Sequence, residues 1–244
     1  MSFYKLACCL VPVASVWIGM TPPSPPAQTK DRVTERYNFV TRITGPAANL
    51  PMVKLFLISV PTIEIFALLT HLLGSSNLND GRNMILRDVS STLMWTGKAD
   101  ALRMNVISHL GVFLLASGAF LRMQCYGALG KFFTFDIASF PDHKLVTSGP
   151  YSLVRHPAYT GTYCVGLGCY LFVFSKGSWV RESGVLDTVV GKIVLGGYAF
   201  AIFSGLVAML RRTKIEDQLL KDKFGKEWEE WAKKVPYKLL PGIY

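Results

Sequence analysis

The chain is short of charge and without any cysteine pairing pattern, and each shortage excludes something. Only 17% of its 244 residues are Asp, Glu, Lys or Arg, half are hydrophobic, and mean hydropathy is positive. That balance excludes a soluble globular domain and fits a polytopic membrane protein. The five cysteines (Cys8, Cys9, Cys125, Cys164 and Cys169) form no CxxC and no Cys/His pair, and most lie inside apolar segments. They read as free thiols packed in a membrane, with neither a metal site nor a disulfide framework indicated. No GxGxxG follows a strand pattern, so a nucleotide-like cofactor has to be held in another way. No repeat or long low-complexity tract interrupts the chain. What charge there is leans positive, with 26 Lys and Arg against 16 Asp and Glu for a formal +10. Such a surplus suits a basic face on an anionic leaflet or an anionic substrate.

Five apolar segments punctuate the sequence. The first, residues 6–20, is short, with Lys5 before it and Pro12 inside. A signal peptide has a similar look, but no small-x-small cleavage site precedes the Pro-rich run that follows, which favours a retained helix. Residues 21–49 form a polar connector with Lys30, Arg32, Arg36 and Arg42. Segment two, 50–73, is long enough to span a bilayer at ~20 residues per crossing. It holds Glu64 near its middle, either a functional acid or one satisfied in a helix contact. A polar stretch with the turn Asn79-Asp80-Gly81 leads to segment three, 101–121, which carries Asn105 and His109 and ends at Arg122 as its water boundary. His109 reads as a packing residue with one helix partner rather than a ligand. Segment four, 158–174, is marginally long enough to cross. Segment five, 189–210, carries Gly197, Ala201 and Gly205 as a small-residue stripe suited to close helix packing. Beyond it, Ile215, Leu219, Leu220 and Phe224 keep helical spacing among charges, Gly225 caps that helix, and a second begins near Glu227 with Trp228 and Trp231 facing the membrane interface.

Charge bias orients the array. With five crossings, the 21–49 connector, the 122–157 loop and the C-terminal residues share one side, which then holds 17 Lys and Arg against six on the other. By the positive-inside rule that richer side is cytosolic. The expected fold is an all-α polytopic membrane protein of about five transmembrane helices. A cytosolic loop and C-terminal amphipathic helices face the same compartment. Residues 1–100 form an N-terminal membrane region, distinct from residues 101–244 with their C-terminal helices.

The rest of the chain is organised around residues 142–161, DHKLVTSGPYSLVRHPAYTG. Gly149-Pro150 marks one tight turn, and His156-Pro157 a second, because the residue before proline is pushed out of the helical region. Polarity alone would make this a plain connector. Its string His143-x-Leu145-Val146-Thr147-Ser148-Gly149-Pro150-Tyr151, followed by Arg155-His156-Pro157-x-Tyr159-x-Gly161, resembles the signature of the isoprenylcysteine carboxyl methyltransferases. The run Arg212-x3-Glu216-Asp217-x6-Phe224-Gly225-x2-Trp228-x2-Trp231 continues the likeness, so it covers roughly residues 100 to 244. Arg-His-Pro-x-Tyr by itself is weak, since membrane sterol reductases and phospholipid methyltransferases carry near relatives of it.

The resemblance implies methyl transfer from S-adenosylmethionine to the C-terminal carboxylate of prenylated cysteine in CaaX-processed proteins. It implies a multi-pass enzyme of the endoplasmic reticulum membrane with its active site facing the cytosol. Prenylated substrate and lipid bilayer are the expected partners, with no nucleic acid and no metal. By that resemblance the cofactor is cradled by His143, Lys144, Leu145, Val146, Tyr151, His156, Pro157, Ala158, Tyr159 and Glu216. Arg212 takes the substrate and is the catalytic candidate; its planar fork suits a carboxylate. The bland reading of Arg212 and Glu216 is an ordinary i, i+4 ion pair. Asp136 stands where relatives often have Gln against the cofactor, Asp217 replaces the second Glu of the usual pair, and Trp228 and Trp231 replace Tyr. Two other enzyme readings compete. A phospholipid N-methyltransferase needs a base near its ammonium acceptor, a poor fit to Arg212. An NADPH-dependent sterol reductase is favoured by the tail Val235-Pro236-Tyr237-Lys238-Leu239-Leu240-Pro241-Gly242-Ile243-Tyr244, but has more helices than this chain offers. A non-enzymatic membrane scaffold is the remaining class.

Overall fold

The computed structural model describes residues 2–21, 23, 46–74, 81–135 and 142–244. Lys30, Arg32, Arg36 and Arg42, the Asn79-Asp80 turn and Asp136 lie outside them. Among the described residues all regular structure is helical: α1 (Ser2–Gly19), α2 (Pro46–Gly74), α3 (Gly81–Leu93), α4 (Val106–Leu129), α5 (Pro157–Phe174), α6 (Trp179–Glu182), α7 (Val189–Phe224) and α8 (Lys226–Lys234), with short 3-10 turns between some of them. The chain is an all-α membrane protein. Three helical stretches, Pro51–Gly74, Val106–Phe132 and Val189–Phe224, are long and apolar enough to cross a bilayer. Helices α1 and α5, the other two expected crossings, have 18 residues each, near the short limit of ~17–25.

The chain folds into two compact units, one of residues 1–17, 54–116 and 165–202, the other of 18–53, 117–164 and 203–244. In the first, Lys5 and Glu64 form a fully buried ion pair at 2.7 Å. The Lys5 ammonium also donates to the carbonyls of Arg103, at 3.0 Å, and Gly177. The intramembrane acid expected from sequence thus has a dedicated partner, and Lys5 does not flank its helix in water. His109 likewise is satisfied, with Nδ1 2.6 Å from the Asn105 carbonyl and Nε2 3.0 Å from the Tyr4 hydroxyl. The close helix crossing of this unit runs through Gly111 and Gly168. A Cβ on Gly168 would stand 2.7 Å from the Gly111 carbonyl and 2.8 Å from the Leu115 nitrogen, so only glycine fits. Among the described residues the stripe expected on α7 meets nothing within 4 Å of an added Cβ at Gly197 or Gly205.

The second unit holds the polar loop and the C-terminal helices. Arg122 does not end α4 at a water boundary: the helix runs to Leu129, and Arg122 is buried. Its guanidinium donates to the Tyr126 hydroxyl at 3.1 Å and the Ala158 carbonyl at 3.0 Å, which removes the cost of burying it unpaired. Helix α7 keeps an apolar face through Ile215, Leu219 and Phe224 after its membrane run ends, and so continues unbroken for 36 residues. Gly225, at φ +53°, stops it, as its sequence predicts. Helix α8 then turns Trp231 inward. Trp231 is buried with Cys125, Tyr151 and Val235, and its indole donates to the Tyr151 carbonyl at 3.2 Å. The expected interfacial position of the tryptophans is therefore wrong for Trp231, because the apolar cluster of the loop and α4 offers it a drier contact than the membrane surface.

Candidate active site

Local chain chemistry sets up the site. Gly149, at φ +61°, allows the tight 3-10 turn Gly149–Ser152 that follows the extended Ser148. Pro157 occupies the first turn of α5, where its missing N–H costs nothing, and leaves His156 just outside the helix. The backbone of Arg155 and His156 is not left to water. Their N–H groups donate to the carbonyls of Tyr237 and Lys238 at 2.9 and 2.8 Å, and the Thr160 hydroxyl donates to Leu239 at 2.6 Å. The C-terminal segment is strapped along the motif.

His156 is buried and bracketed by two consecutive residues of α7. Its Nε2 lies 2.9 Å from Asp217 Oδ1 and its Nδ1 3.5 Å from Glu216 Oε2. Side chains one residue apart on a helix point about 100° apart, so neighbouring carboxylates can reach opposite edges of one ring. Burial opposes the charged imidazole, but the hydrogen bonds and charges of Asp217 and Glu216 outweigh it, and the His156 pKa rises above its ordinary value. As an imidazolium it donates from both nitrogens, which matches two acceptors.

The network extends on both sides. Tyr159 donates its hydroxyl to Glu216 Oε1. Arg212 Nη2 lies 3.7 Å from the same oxygen and donates to the Phe135 carbonyl at 2.6 Å, with the guanidinium 5.9 Å from the Tyr159 ring centre. Asp217 also receives Lys238 at 3.1 Å and Arg155 at 3.4 Å. Arg155, His156, Arg212 and Lys238 therefore surround two carboxylates, and the cluster carries a cationic surplus suited to one more anionic group.

Other expected site residues sit in apolar company. Leu145, Val146, Ala158 and Trp228 pack against the cluster of Cys125, Tyr151, Trp231 and Val235. His143 stacks on Phe132 with ring centres 4.9 Å apart and meets Phe224 edge-on at 5.8 Å. Burial and the nearby Lys223 charge hold the His143 pKa below its usual value. Lys144 is exposed, and Pro157 is buried at the start of α5. His156, Tyr159, Arg212 and Glu216 are thus joined directly, whereas Leu145, Val146, Tyr151 and Ala158 meet through a shared apolar wall. Sequence reasoning noted Asp217 in the motif and Lys238 in the tail but placed neither among the site residues. Asp217 had a signal in its place beside Glu216; Lys238 had none, because its role depends on where the tail lies.

Comparison with known proteins follows the same lines. Residues 106–185 match the family model described as phospholipid methyltransferase. The chain is 31% identical over 131 residues to a probable protein-S-isoprenylcysteine O-methyltransferase of Oryza sativa, covering 53% of this chain and 59% of that protein. It is 31% identical over 124 residues to the protein-S-isoprenylcysteine O-methyltransferase of Schizosaccharomyces pombe, covering 50% and 44%. The family resemblance read in the motifs is borne out. The likeness is nonetheless partial, since the chain spans less than two thirds of the length of these relatives. A Delta(14)-sterol reductase of Gibberella zeae is also similar, at 27% identity over 118 residues, 41% of this chain and 24% of that one.

Proposed function

We propose that the chain methylates the C-terminal carboxylate of prenylated cysteine with S-adenosylmethionine as donor. The observation that carries this reading is the cationic surplus around Glu216 and Asp217, with Arg212 nearest the end of the apolar run of α7. Carboxylate methylation needs no general base, because the acceptor is already ionised. It needs an oxygen held in line behind the methyl, ~3–3.5 Å away, with water excluded. Arg212 binds and orients that carboxylate, and Glu216, held by Tyr159 and His156, receives the cofactor's hydroxyls or amino group. His143, Lys144, Leu145, Val146, Tyr151, His156, Pro157, Ala158 and Tyr159 complete the cofactor's surroundings.

The residues present fit such a cofactor. The indole Nε1 of Trp228 is buried without a hydrogen-bond acceptor among the described residues, a donor free for an adenine nitrogen or a carboxylate. The ring stack of Phe132 and His143 supplies flat apolar surface of the kind adenine stacks on. When bound, S-adenosylmethionine supplies an electrophilic methyl group on a sulfonium. Catalysis is assigned to residues 101–244, on the cytosolic face of the endoplasmic reticulum membrane, where prenylated CaaX proteins and the bilayer are its partners.

The match to a phospholipid methyltransferase model favours a second reading, N-methylation of an aminophospholipid. Purified protein offered labelled S-adenosylmethionine with farnesyl-cysteine or phosphatidylethanolamine decides between them. The proposal expects label on farnesyl-cysteine. Label on phosphatidylethanolamine alone overturns it, and label on neither removes both.

A further inference from the structure

A groove of about 330 Å³ opens on the outward face of α7, lined by Leu210, Arg211, Lys214 and Tyr244. Its volume lies within the ~300–1,000 Å³ of small-ligand clefts, and it shares no residue with the Arg212–Glu216–Asp217 network. Four consecutive residues of the helix divide between two faces. Arg212 and Thr213 are buried, whereas Arg211 and Lys214 are exposed and, at i and i+3, neighbours. Immediately before them the same face is greasy: Phe203, Val207 and Leu210 are exposed on a stretch without charge from residue 193 to 210. Apolar side chains facing lipid thus give way within one turn to a pair of cations, the sequence of environments that a phospholipid presents as its acyl chains end and its phosphate begins.

The far wall is fixed rather than loose. The main-chain oxygen of Tyr244 accepts N–H groups from Lys238, Leu239 and Leu240 at 2.8, 2.8 and 3.0 Å. The Lys238 ammonium stands 5.7 Å from the centre of the Tyr244 ring. Tyrosine has an apolar body and a polar tip, and so suits the headgroup level. Neither Arg211 nor Lys214 forms an ion pair among the described residues. Glu216 and Asp217, the acids closest along the helix, are engaged by Arg212, His156, Tyr159, Arg155 and Lys238.

We propose that this groove binds the phosphate of an anionic phospholipid, held by Arg211 and Lys214 against Tyr244, with the acyl chains along Leu210, Val207 and Phe203. Its lining residues are not those of the proposed active site, and its test needs no methyl transfer. The full chain, purified in neutral detergent, is titrated with dioctanoyl-phosphatidylglycerol, with dioctanoyl-phosphatidylcholine and with inorganic phosphate, and the thermal unfolding midpoint is read. Phosphatidylglycerol raises the midpoint saturably; phosphatidylcholine and phosphate do not. The double variant R211Q/K214Q raises the half-saturating concentration by about twenty-fivefold, since each basic residue near an anionic surface contributes roughly fivefold. K233Q/K234Q, which removes the same charge from exposed positions on α8, leaves the response in place. Equal shifts with phosphatidylcholine, a response that survives R211Q/K214Q, the same loss in K233Q/K234Q, or a shift with inorganic phosphate alone each overturns the proposal.

Discussion

Glu64 and Glu216 are carboxylates on long helices with apolar stretches, and the company they keep differs. Glu64 faces one lysine, which turns its remaining hydrogens to two backbone carbonyls, so the pair is closed. Glu216 shares its oxygens with a histidine, a tyrosine and an arginine, and the adjacent Asp217 brings in another arginine and a lysine. The first arrangement balances one negative charge with one positive and leaves nothing over. The second holds more cationic groups than acids, which is costly unless a further anion completes it. A buried acid in a membrane helix is therefore not by itself evidence of chemistry; the balance of the groups around it distinguishes an anchor from a site.

Breaking the closed pair should have the largest effect on stability. Glu64→Ala leaves the Lys5 ammonium buried without its counter-charge and should cost about 3–5 kcal/mol, whereas the double change Lys5→Met with Glu64→Leu should be close to neutral. Unfolding midpoints of both proteins in detergent measure this. If the single and double variants are equally unstable, Lys5 and Glu64 act separately and the contrast with Glu216 fails.

Within the open network the proposed division of labour predicts different losses. Arg212→Ala removes a charge-assisted contact of about 1.5–3 kcal/mol. At about 1.4 kcal/mol per decade, that is roughly ten- to a hundredfold in kcat/KM for prenylcysteine. Arg212→Lys should recover only part, since an ammonium cannot reproduce the planar fork. Glu216→Gln should weaken binding of S-adenosylhomocysteine first, read by calorimetry. Should Arg212→Ala weaken that binding as severely as Glu216→Gln, the two residues form one structural unit supporting the cofactor.

A smaller effect separates Asp217 from its neighbour through pH. Because the folded pKa of His156 is raised, its protonated form contributes stability that is complete below the ordinary value near ~6.5 and is lost as pH rises through the folded value. Asp217→Asn removes one acceptor and one charge, so the midpoint should fall less over that rise than it does in the unaltered protein. An unchanged pH profile would mean that Asp217 does not set the state of His156. Least of all should Lys131→Ala matter: its partner Asp142 is exposed to water, and no change in unfolding midpoint is expected.

Much of this contrast was legible in the residues. The long apolar helices followed from hydrophobic runs, the stop at Gly225 from its chemistry, and the pairing of Arg212 with Glu216 from their spacing, whereas α3 lies in a stretch that reads as a polar, turn-bearing connector. What could not be read was direction. An arginine at the end of an apolar run looks like a water boundary, yet Arg122 points inward because Tyr126 and the Ala158 carbonyl receive it. Trp231 has the look of an interfacial anchor, but Tyr151 gives its N–H a buried acceptor. The strap of residues 237–239 along Arg155 and His156 is made by main-chain groups, which every sequence possesses, and so leaves no trace in side-chain pattern.

The last residue of the motif, Gly161, lies in the helix rather than in the polar cluster. A Cβ there would stand 2.7 Å from the Arg122 side chain and 2.9 Å from the Gly118 carbonyl. Its glycine is thus dictated by how closely two helices cross, while His156 and Tyr159 face the charged network. The string Arg-His-Pro-x-Tyr-x-Gly mixes two kinds of record, one of chemistry and one of carpentry. In this chain the string therefore reports a close helix crossing as much as it reports a chemistry.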